Sequence, residues 1–211
     1  LCLSEAKGMD IKMTIAESAK SIEEHLRQLR REFHRHPEIS GNEKKTAARI
    51  VRELSEIGGF EIREGVGGHG VIAELSGALP GPAIALRADM DALQIEEETG
   101  LSFCSENCGV MHACGHDNHI TMVLGAARLL AQRKDELKGK VRLIFQPSEE
   151  LSPQGGSRKM IEAGALKGVD AVFGIHVWPD LPLGKVGIKA GPLMAASDHF
   201  TVTIKGKPSH A

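Results

Sequence analysis

Long hydrophobic runs are missing from this amino-acid sequence. No apolar stretch approaches the length of about 18 residues that a transmembrane helix needs, and the first residues lack the basic-then-apolar order of a secretion signal. These absences predict a cytoplasmic protein without a membrane partner. The chain starts at Leu1 rather than at a methionine, so we give the first dozen residues little weight.

A large charge of either sign is missing too. The sequence has 26 lysines and arginines against 28 aspartates and glutamates, which gives a formal net charge of −2. Nucleic acids are bound by strongly basic surfaces, so we expect no nucleic-acid partner and favour a small-molecule ligand. The 211 residues, 41% of them hydrophobic and 26% charged, are typical of a globular fold with a substantial core.

Cysteine is scarce, and its spacing matches no common framework. Of the four cysteines, Cys104, Cys108 and Cys114 lie close together, but they form neither a CxxC pair nor a zinc-ribbon pattern. A cytoplasmic location also argues against a disulfide framework. Cys104 and Cys108 are therefore interpreted as ordinary loop or core cysteines.

The hydrophobic periodicity alternates between helix and strand patterns. Apolar residues recur at helical spacing in some segments and form short apolar runs in others, which predicts helices packed on the faces of a sheet. The fold class expected is α/β, with a mixed, largely parallel sheet flanked by helices. Predicted helices cover 14–34, 42–57, 119–133 and 157–165, and predicted strands cover 60–66, 71–75, 83–89, 141–145 and 171–177, with 83–89 and 171–177 buried.

The pattern changes beyond residue 183. Glycine and proline precede a segment in which Phe200, Val202 and Ile204 alternate with polar residues, the pattern of a half-exposed strand. We therefore predict a domain boundary near Met194. Residues 1–193 would form the α/β unit, and residues 194–211 would begin a smaller α+β unit.

The segment MHACGHDNH, at residues 111–119, is the strongest candidate for a functional site. Cys114 and His116 lie two residues apart at the start of a predicted helix, and thiolate and imidazole are both ligands of zinc and similar divalent ions. The alternative is a core thiol beside an exposed histidine. Spacing alone does not decide between the two.

Further ligand-type side chains lie at the ends of predicted strands. In open α/β sheets ligands gather at the carboxyl ends of the strands, so segments distant in sequence can meet there. In an adjacent pair of glutamates, one can bind a metal while the other removes a proton from water. The residues concerned are Asp89, Asp91, Glu149, Glu150 and His176.

Each of these residues also has an ordinary interpretation. Adjacent glutamates after a strand are often a solvated turn, and His176 among apolar neighbours fits a core histidine bonded to a backbone carbonyl. For Asp89 and Asp91 we favour a role in orienting other ligands over direct metal binding.

Eight separated segments together resemble a family of metal-dependent amidohydrolases that includes hippurate hydrolase, N-acyl-amino-acid amidohydrolases and auxin-conjugate hydrolases, within the wider aminoacylase and carboxypeptidase group. In chain order the segments are FHRHPEIS, ALRADMDAL, MHACGHDNH, FQPSEE, GGSRKMIEAGAL, FGIHVWP, GPLMAASDHF and GKPSHA. The resemblance implies a zinc-peptidase-like catalytic domain followed by a dimerisation domain. It also implies two divalent metal ions, manganese or zinc, and a homodimeric full-length protein.

The resemblance further implies roles for individual residues. Glu149 resembles the general base of the family, and Asp91 resembles the aspartate that orients its site. His210 resembles the histidine of the dimerisation domain that reaches a neighbouring active site and binds substrate. Four residues resemble the metal ligands: Cys114, His116, Glu150 and His176.

The function implied is metal-dependent hydrolysis of the amide bond in N-acyl amino acids or short peptides. Gln94, where relatives commonly have proline, and the loop SEELSPQGG depart from the family pattern. The family also supplies one more histidine ligand near its C-terminus, which these 211 residues do not include. An inactive fragment of such an enzyme and a structural zinc protein are the alternatives.

Overall fold

The structure is a computed structural model that describes residues 13–151, 154–196, 200–207 and 210. It confirms the α/β class. Among the described residues, no helix combines the length and the apolarity needed to cross a membrane. The helices are α1 (Ile15–Ser21), α2 (Glu23–Arg35), α3 (Lys44–Ile57), α4 (His116–Ala131) and α5 (Gly156–Glu162), and the strands are β1 (Glu61–Val66), β2 (Gly70–Ser76), β3 (Leu79–Asp89), β4 (Lys138–Gln146) and β5 (Ala171–Gly174).

The strands form one mixed sheet in the order β1-β2-β4-β3-β5. β3 runs parallel to both β4 and β5, whereas β2 is antiparallel to both β1 and β4. Antiparallel pairing therefore takes a larger share of the sheet than predicted, because β1 and β2 form a hairpin. The parallel strands β3, β4 and β5 end at the same edge of the sheet.

The main core lies between the sheet and the helices α2, α3 and α4. Apolar residues at helical spacing point inward from these helices, as the amphipathic pattern predicts. Central members of this cluster are Leu29 and Phe33 of α2, Ile50 and Leu54 of α3, Ile120 and Leu124 of α4, and Leu143 and Phe145 of β4.

The helix predicted over 14–34 is two helices, α1 and α2. The chain leaves helical geometry at Ile22, where φ is −105° and ψ is 4°. The Ser21 hydroxyl donates a hydrogen bond to the Ser18 carbonyl at 2.7 Å. Side-chain bonds of this kind compete with the helical backbone pattern, which accounts for a break that hydrophobic spacing does not reveal.

The prediction of a buried strand over 171–177 is wrong in its burial and its length. β5 ends at Gly174, and Phe173 is 58% exposed. Side chains of a strand point to the faces of the sheet, so a run of apolar residues is buried only where another element covers those faces.

The strand predicted around Phe200 is also absent from the described residues 200–207. Phe200 and Ile204 are each 89% exposed. A strand forms by hydrogen bonding to a neighbouring strand, and none of the described strands pairs with this segment.

The chain divides into two units, one ending at Val177 and the other starting at Trp178. The first unit contains the sheet and the five helices described above. The second has neither helix nor strand in its described residues. The domain boundary near Met194 stays a prediction.

Candidate metal centre

The edge where β3, β4 and β5 end collects the candidate side chains. Asp91 follows β3, the two glutamates follow β4, and His176 follows β5, while α4 begins at His116. His116 belongs to every cluster of close ligand-type atoms in the described residues. Within each cluster these atoms lie within 4.8 Å of one another: Cys114, His116 and His176; Asp89, His116 and His119; and His116, Glu149 and Glu150.

His116 is held with one ring nitrogen turned toward these carboxylates. Its side chain is 1% exposed, and Nδ1 lies 2.8 Å from the Asp91 carbonyl oxygen. A carbonyl only accepts, so Nδ1 donates, and in the neutral ring Nε2 carries the lone pair. Nε2 is buried without a hydrogen-bond partner, 3.6 Å from both Asp89 Oδ2 and Glu150 Oε1. Glu150 Oε1 is also buried without a hydrogen-bond partner, and a cation would satisfy both of these atoms.

Asp91 is hydrogen-bonded to two of the predicted ligands, His116 and Glu150. Besides its carbonyl bond to His116, its Oδ2 accepts the Glu150 backbone N–H at 2.9 Å and the Ser40 hydroxyl at 2.6 Å. Burial acts to raise the pKa of Asp91, but the neighbouring His116 ring and the Ser40 hydrogen bond outweigh it and lower that pKa. Asp91 is therefore ionised. Its Oδ2 accepts both orienting hydrogen bonds, whereas its Oδ1 is buried without a hydrogen-bond partner, 3.6 Å from His116 Nδ1.

His119 and Asp89 form a buried pair deeper in the site. His119 Nδ1 lies 2.6 Å from Asp89 Oδ1, and His119 Nε2 accepts the Val177 N–H at 3.0 Å. Both ring nitrogens of His119 are thus engaged. Burial acts to raise the pKa of Asp89, but the His119 bond and the Arg87 charge outweigh it and hold that pKa at about 2.

The thiol of Cys114 lies among negative charges. Its Sγ is 3.4 Å from His176 Nε2. Burial, followed by the charges of Glu150 and Glu149, raises the pKa of Cys114 to about 12. Burial and Glu150 also raise the pKa of Glu149. Thiolate, imidazole and carboxylate are a donor set that suits zinc and related divalent ions, and a bound cation would favour the thiolate.

Two of the ordinary interpretations do not match this geometry. The histidine of the CxH pair is buried and its thiol is partly exposed, which reverses the arrangement of a core thiol beside an exposed histidine. His176 is exposed, so it is not a core histidine, although its Nδ1 lies 2.6 Å from the Val177 carbonyl oxygen.

The sequence analysis missed three residues that shape the site. Gly115 has a φ of 86°, and a Cβ atom there would lie 2.4 Å from Val177 Cγ2. Its position between a cysteine and a histidine was the available signal. Ser40 ends the segment FHRHPEIS, which was its available signal. Glu43 gave none, because its contact with Ser148 is 105 residues distant.

Six of the seven predicted site residues come together in the first unit. The seventh, His210, belongs to the second unit. Its role in substrate binding stays a prediction, as do the ligand, base and orienting roles of the other six.

Comparison with known proteins gives consistent relatives. An N-acetyl-L-cysteine deacetylase of Bacillus subtilis is 49% identical over 212 residues, covering 98% of this chain and 50% of that protein. An N-acyl-L-amino acid amidohydrolase of Geobacillus stearothermophilus is 48% identical over 181 residues, covering 86% of this chain and 48% of that protein. The chain therefore spans about half the length of the curated relatives it matches.

A solved structure supports the same grouping. It is a Bacillus subtilis protein described as a dinuclear metal-binding peptidase of the M20 family, with a TM-score of 0.78 and 51% sequence identity, and the match covers 82% of this chain and 48% of that one. The resemblance noted in the sequence is confirmed. The pattern of the peptidase family M20/M25/M40 matches residues 85–210, which is more than half of this chain. The chain therefore belongs to that family.

Proposed function

We propose that the whole protein hydrolyses the amide bond of N-acyl amino acids at a centre that holds divalent metal ions. One observation carries the proposal: the buried, unpartnered Nε2 of His116 faces carboxylates from two strand ends. The relatives named as a deacetylase and an amidohydrolase support the substrate class.

Four side chains would hold the metal ions: Cys114, His116, Glu150 and His176. When bound, such ions supply Lewis acidity, which polarises the scissile carbonyl and lowers the pKa of water. Manganese and zinc are the ions proposed, since both accept imidazole and carboxylate, and the thiol favours zinc. A homodimer in the cytoplasm, with His210 binding substrate, belongs to the same proposal.

Glu149 is the proposed general base. Its side chain is 39% exposed, so it can reach a water molecule, and its raised pKa suits a group that must both take and return a proton. Glu149 takes a proton from the attacking water as oxygen adds to the carbonyl carbon. The C–N bond then breaks, and Glu149 gives the proton to the leaving nitrogen.

The test is a Glu149→Gln substitution in the full-length protein, assayed on acetyl- and benzoyl-amino acids with metal content measured alongside. We expect kcat to fall by at least about 100-fold while metal stays bound, because only proton transfer is removed. Glu162→Gln, at an exposed position of α5, is the control and should keep the normal rate.

Two outcomes would count against this function. Normal hydrolysis by the Glu149→Gln variant would show that Glu149 is not the general base. A wild-type protein that binds metal tightly but turns over no N-acyl amino acid would favour the structural metal site instead.

A further inference from the structure

Glu43 places a buried carboxylate beside the loop that carries the two glutamates. It is the N-cap residue of α3 and is fully buried. Its Oε1 accepts two hydrogen bonds from Ser148, one from the backbone N–H at 2.7 Å and one from the hydroxyl at 3.1 Å. Its Oε2 is buried without a hydrogen-bond partner. In the described part of the chain, Ser148 is thus the hydrogen-bonding partner of this carboxylate.

Ser148 has an unusual backbone. Its φ is 53°, and among the described residues it is the one non-glycine residue with a positive φ. Residues with a Cβ atom disfavour this region, so surrounding contacts must hold the conformation. The Glu43 carboxylate holds the amide and hydroxyl of Ser148, and the Ser148 carbonyl accepts the Gly156 N–H at 3.3 Å.

Ser148, with its left-handed backbone conformation, immediately precedes Glu149 and Glu150. A turn at this point sets the direction in which both side chains leave the end of β4. With the turn in place, the Glu150 N–H reaches Asp91 Oδ2 at 2.9 Å and Glu150 Oε1 lies 3.6 Å from His116 Nε2.

We propose that Glu43 is a positioning residue of the metal centre. Its carboxylate acts as a hydrogen-bond acceptor that holds the Ser148 turn, and through that turn it places Glu149 and Glu150 beside His116. Its effect on hydrolysis rests on the function proposed above, whereas its effect on the loop and on metal binding does not.

The chain offers a matched control in Glu38. Its carboxylate also serves the start of α3, where it accepts the Thr46 N–H at 2.8 Å, the Thr46 hydroxyl at 2.9 Å and the Lys45 N–H at 3.2 Å. None of these bonds involves the glutamate loop. Glu38→Ala therefore removes hydrogen bonds at the start of α3 and leaves the hydrogen bonds between Glu43 and Ser148 in place.

The experiment compares Glu43→Ala, Glu43→Gln and Glu38→Ala in the full-length protein. Hydrogen exchange of the segment 146–151, titration with Mn²⁺ and Zn²⁺, kcat, KM and the melting temperature are measured for each. Glu43→Ala should speed exchange in that segment and weaken metal binding by about 10- to 100-fold, with kcat falling more than KM changes. Glu43→Gln keeps an acceptor oxygen and should recover most of the loss.

Glu38→Ala should lower the melting temperature yet leave exchange in 146–151 and metal affinity as in the wild type. The proposal is overturned if Glu43→Ala behaves like Glu38→Ala, or if Glu43→Gln is as impaired as Glu43→Ala. Should the wild-type protein hydrolyse no N-acyl amino acid, the proposed function would fail, while the exchange and metal measurements would still decide the role of Glu43.

Discussion

Gly115 lies between Cys114 and His116, and its backbone conformation lets the thiol and the imidazole reach the same candidate metal site beside His176. Its φ of 86° lies in the left-handed region, where a residue without Cβ is favoured. Val177 packs against it so closely that any side chain would collide. At the residue scale, the missing side chain of Gly115 thus lets the turn between Cys114 and His116 pack directly against Val177, the residue after His176.

Replacing Gly115 with alanine should therefore disrupt the site. The added Cβ would lie 2.4 Å from Val177 Cγ2, so either the Cys114–His116 turn or the segment after β5 must shift. We expect metal affinity to drop by at least about 10-fold, as for other changes in the shell around metal ligands. Gly100→Ala is the control, because Gly100 has a φ of 65° with nothing within 4 Å of a Cβ. It should lower the free energy of unfolding by about 1 to 2 kcal/mol and leave the titrated metal affinity unchanged.

The raised pKa of Glu149 predicts the pH dependence of hydrolysis. Glu149 acts as a base only when ionised, and burial together with Glu150 raises its pKa above the ordinary glutamate value of 4.5. Activity should therefore be full above the raised pKa and fall as the pH drops through it. A profile of kcat/KM against pH measures this loss of activity. Full activity that persists below pH 4.5 would contradict the role of Glu149 as general base.

At the scale of elements, helices α2, α3 and α4 are joined by one buried carboxylate. Glu53 of α3 is 1% exposed, and it lies 2.6 Å from Arg128 of α4, 2.7 Å from His25 of α2 and 3.0 Å from Arg49. Burial acts to raise the pKa of Glu53, but these partners outweigh it and lower that pKa. These ion pairs hold α4 against α2 and α3. Because α4 begins at His116, they also help to position that histidine in the candidate metal site.

Removing this carboxylate should loosen the three helices. Glu53→Ala leaves Arg128 and Arg49 without their shared buried partner, and we expect the free energy of unfolding to fall by about 3 kcal/mol. Glu32→Ala is the comparison, since that partly exposed glutamate also bonds Arg49. Its loss should cost less than about 1 kcal/mol. Urea unfolding of the two variants measures the difference, and equal losses would refute a special role for Glu53.

At the scale of the whole molecule, the parallel half of the sheet concentrates negative charge at one edge. Four carboxylates meet there around His116, those of Asp89, Asp91, Glu149 and Glu150, although the chain as a whole has a formal net charge of only −2. Arg87 and His119 compensate the charge of Asp89, whereas burial and the neighbouring Glu150 raise the pKa of Glu149, so a cation bound beside the two glutamates would stabilise the folded state. The folded state should therefore be coupled to divalent metal.

This coupling predicts that the melting temperature depends on metal. Mn²⁺ or Zn²⁺ should raise it and a chelator should lower it, because an ion that binds only the folded state adds about 2.7 kcal/mol at a concentration of 100 times its Kd. His176→Ala should reduce the shift, whereas His36→Ala, whose 50% exposed side chain contacts Glu106 outside the site, should not. Differential scanning calorimetry with and without metal tests this, and an equal shift in both variants would argue against the site.

Much of the element pattern was predictable from local periodicity. The predicted helix over 42–57 and the predicted strand over 141–145 match α3 and β4, because each is determined by neighbours a few residues apart. The convergence of Cys114, Glu150 and His176 around His116 was also predictable, since parallel strands end at a common edge.

What the sequence by itself determined is therefore the set of elements and the chemistry that they carry to one edge of the sheet. Only the tertiary structure decided that Glu43 meets Ser148, that Ser40 meets Asp91 and that β5 is exposed. Such contacts join residues far apart in the chain, and they depend on how whole elements pack. Local periodicity is averaged over neighbouring residues and contains no record of that packing.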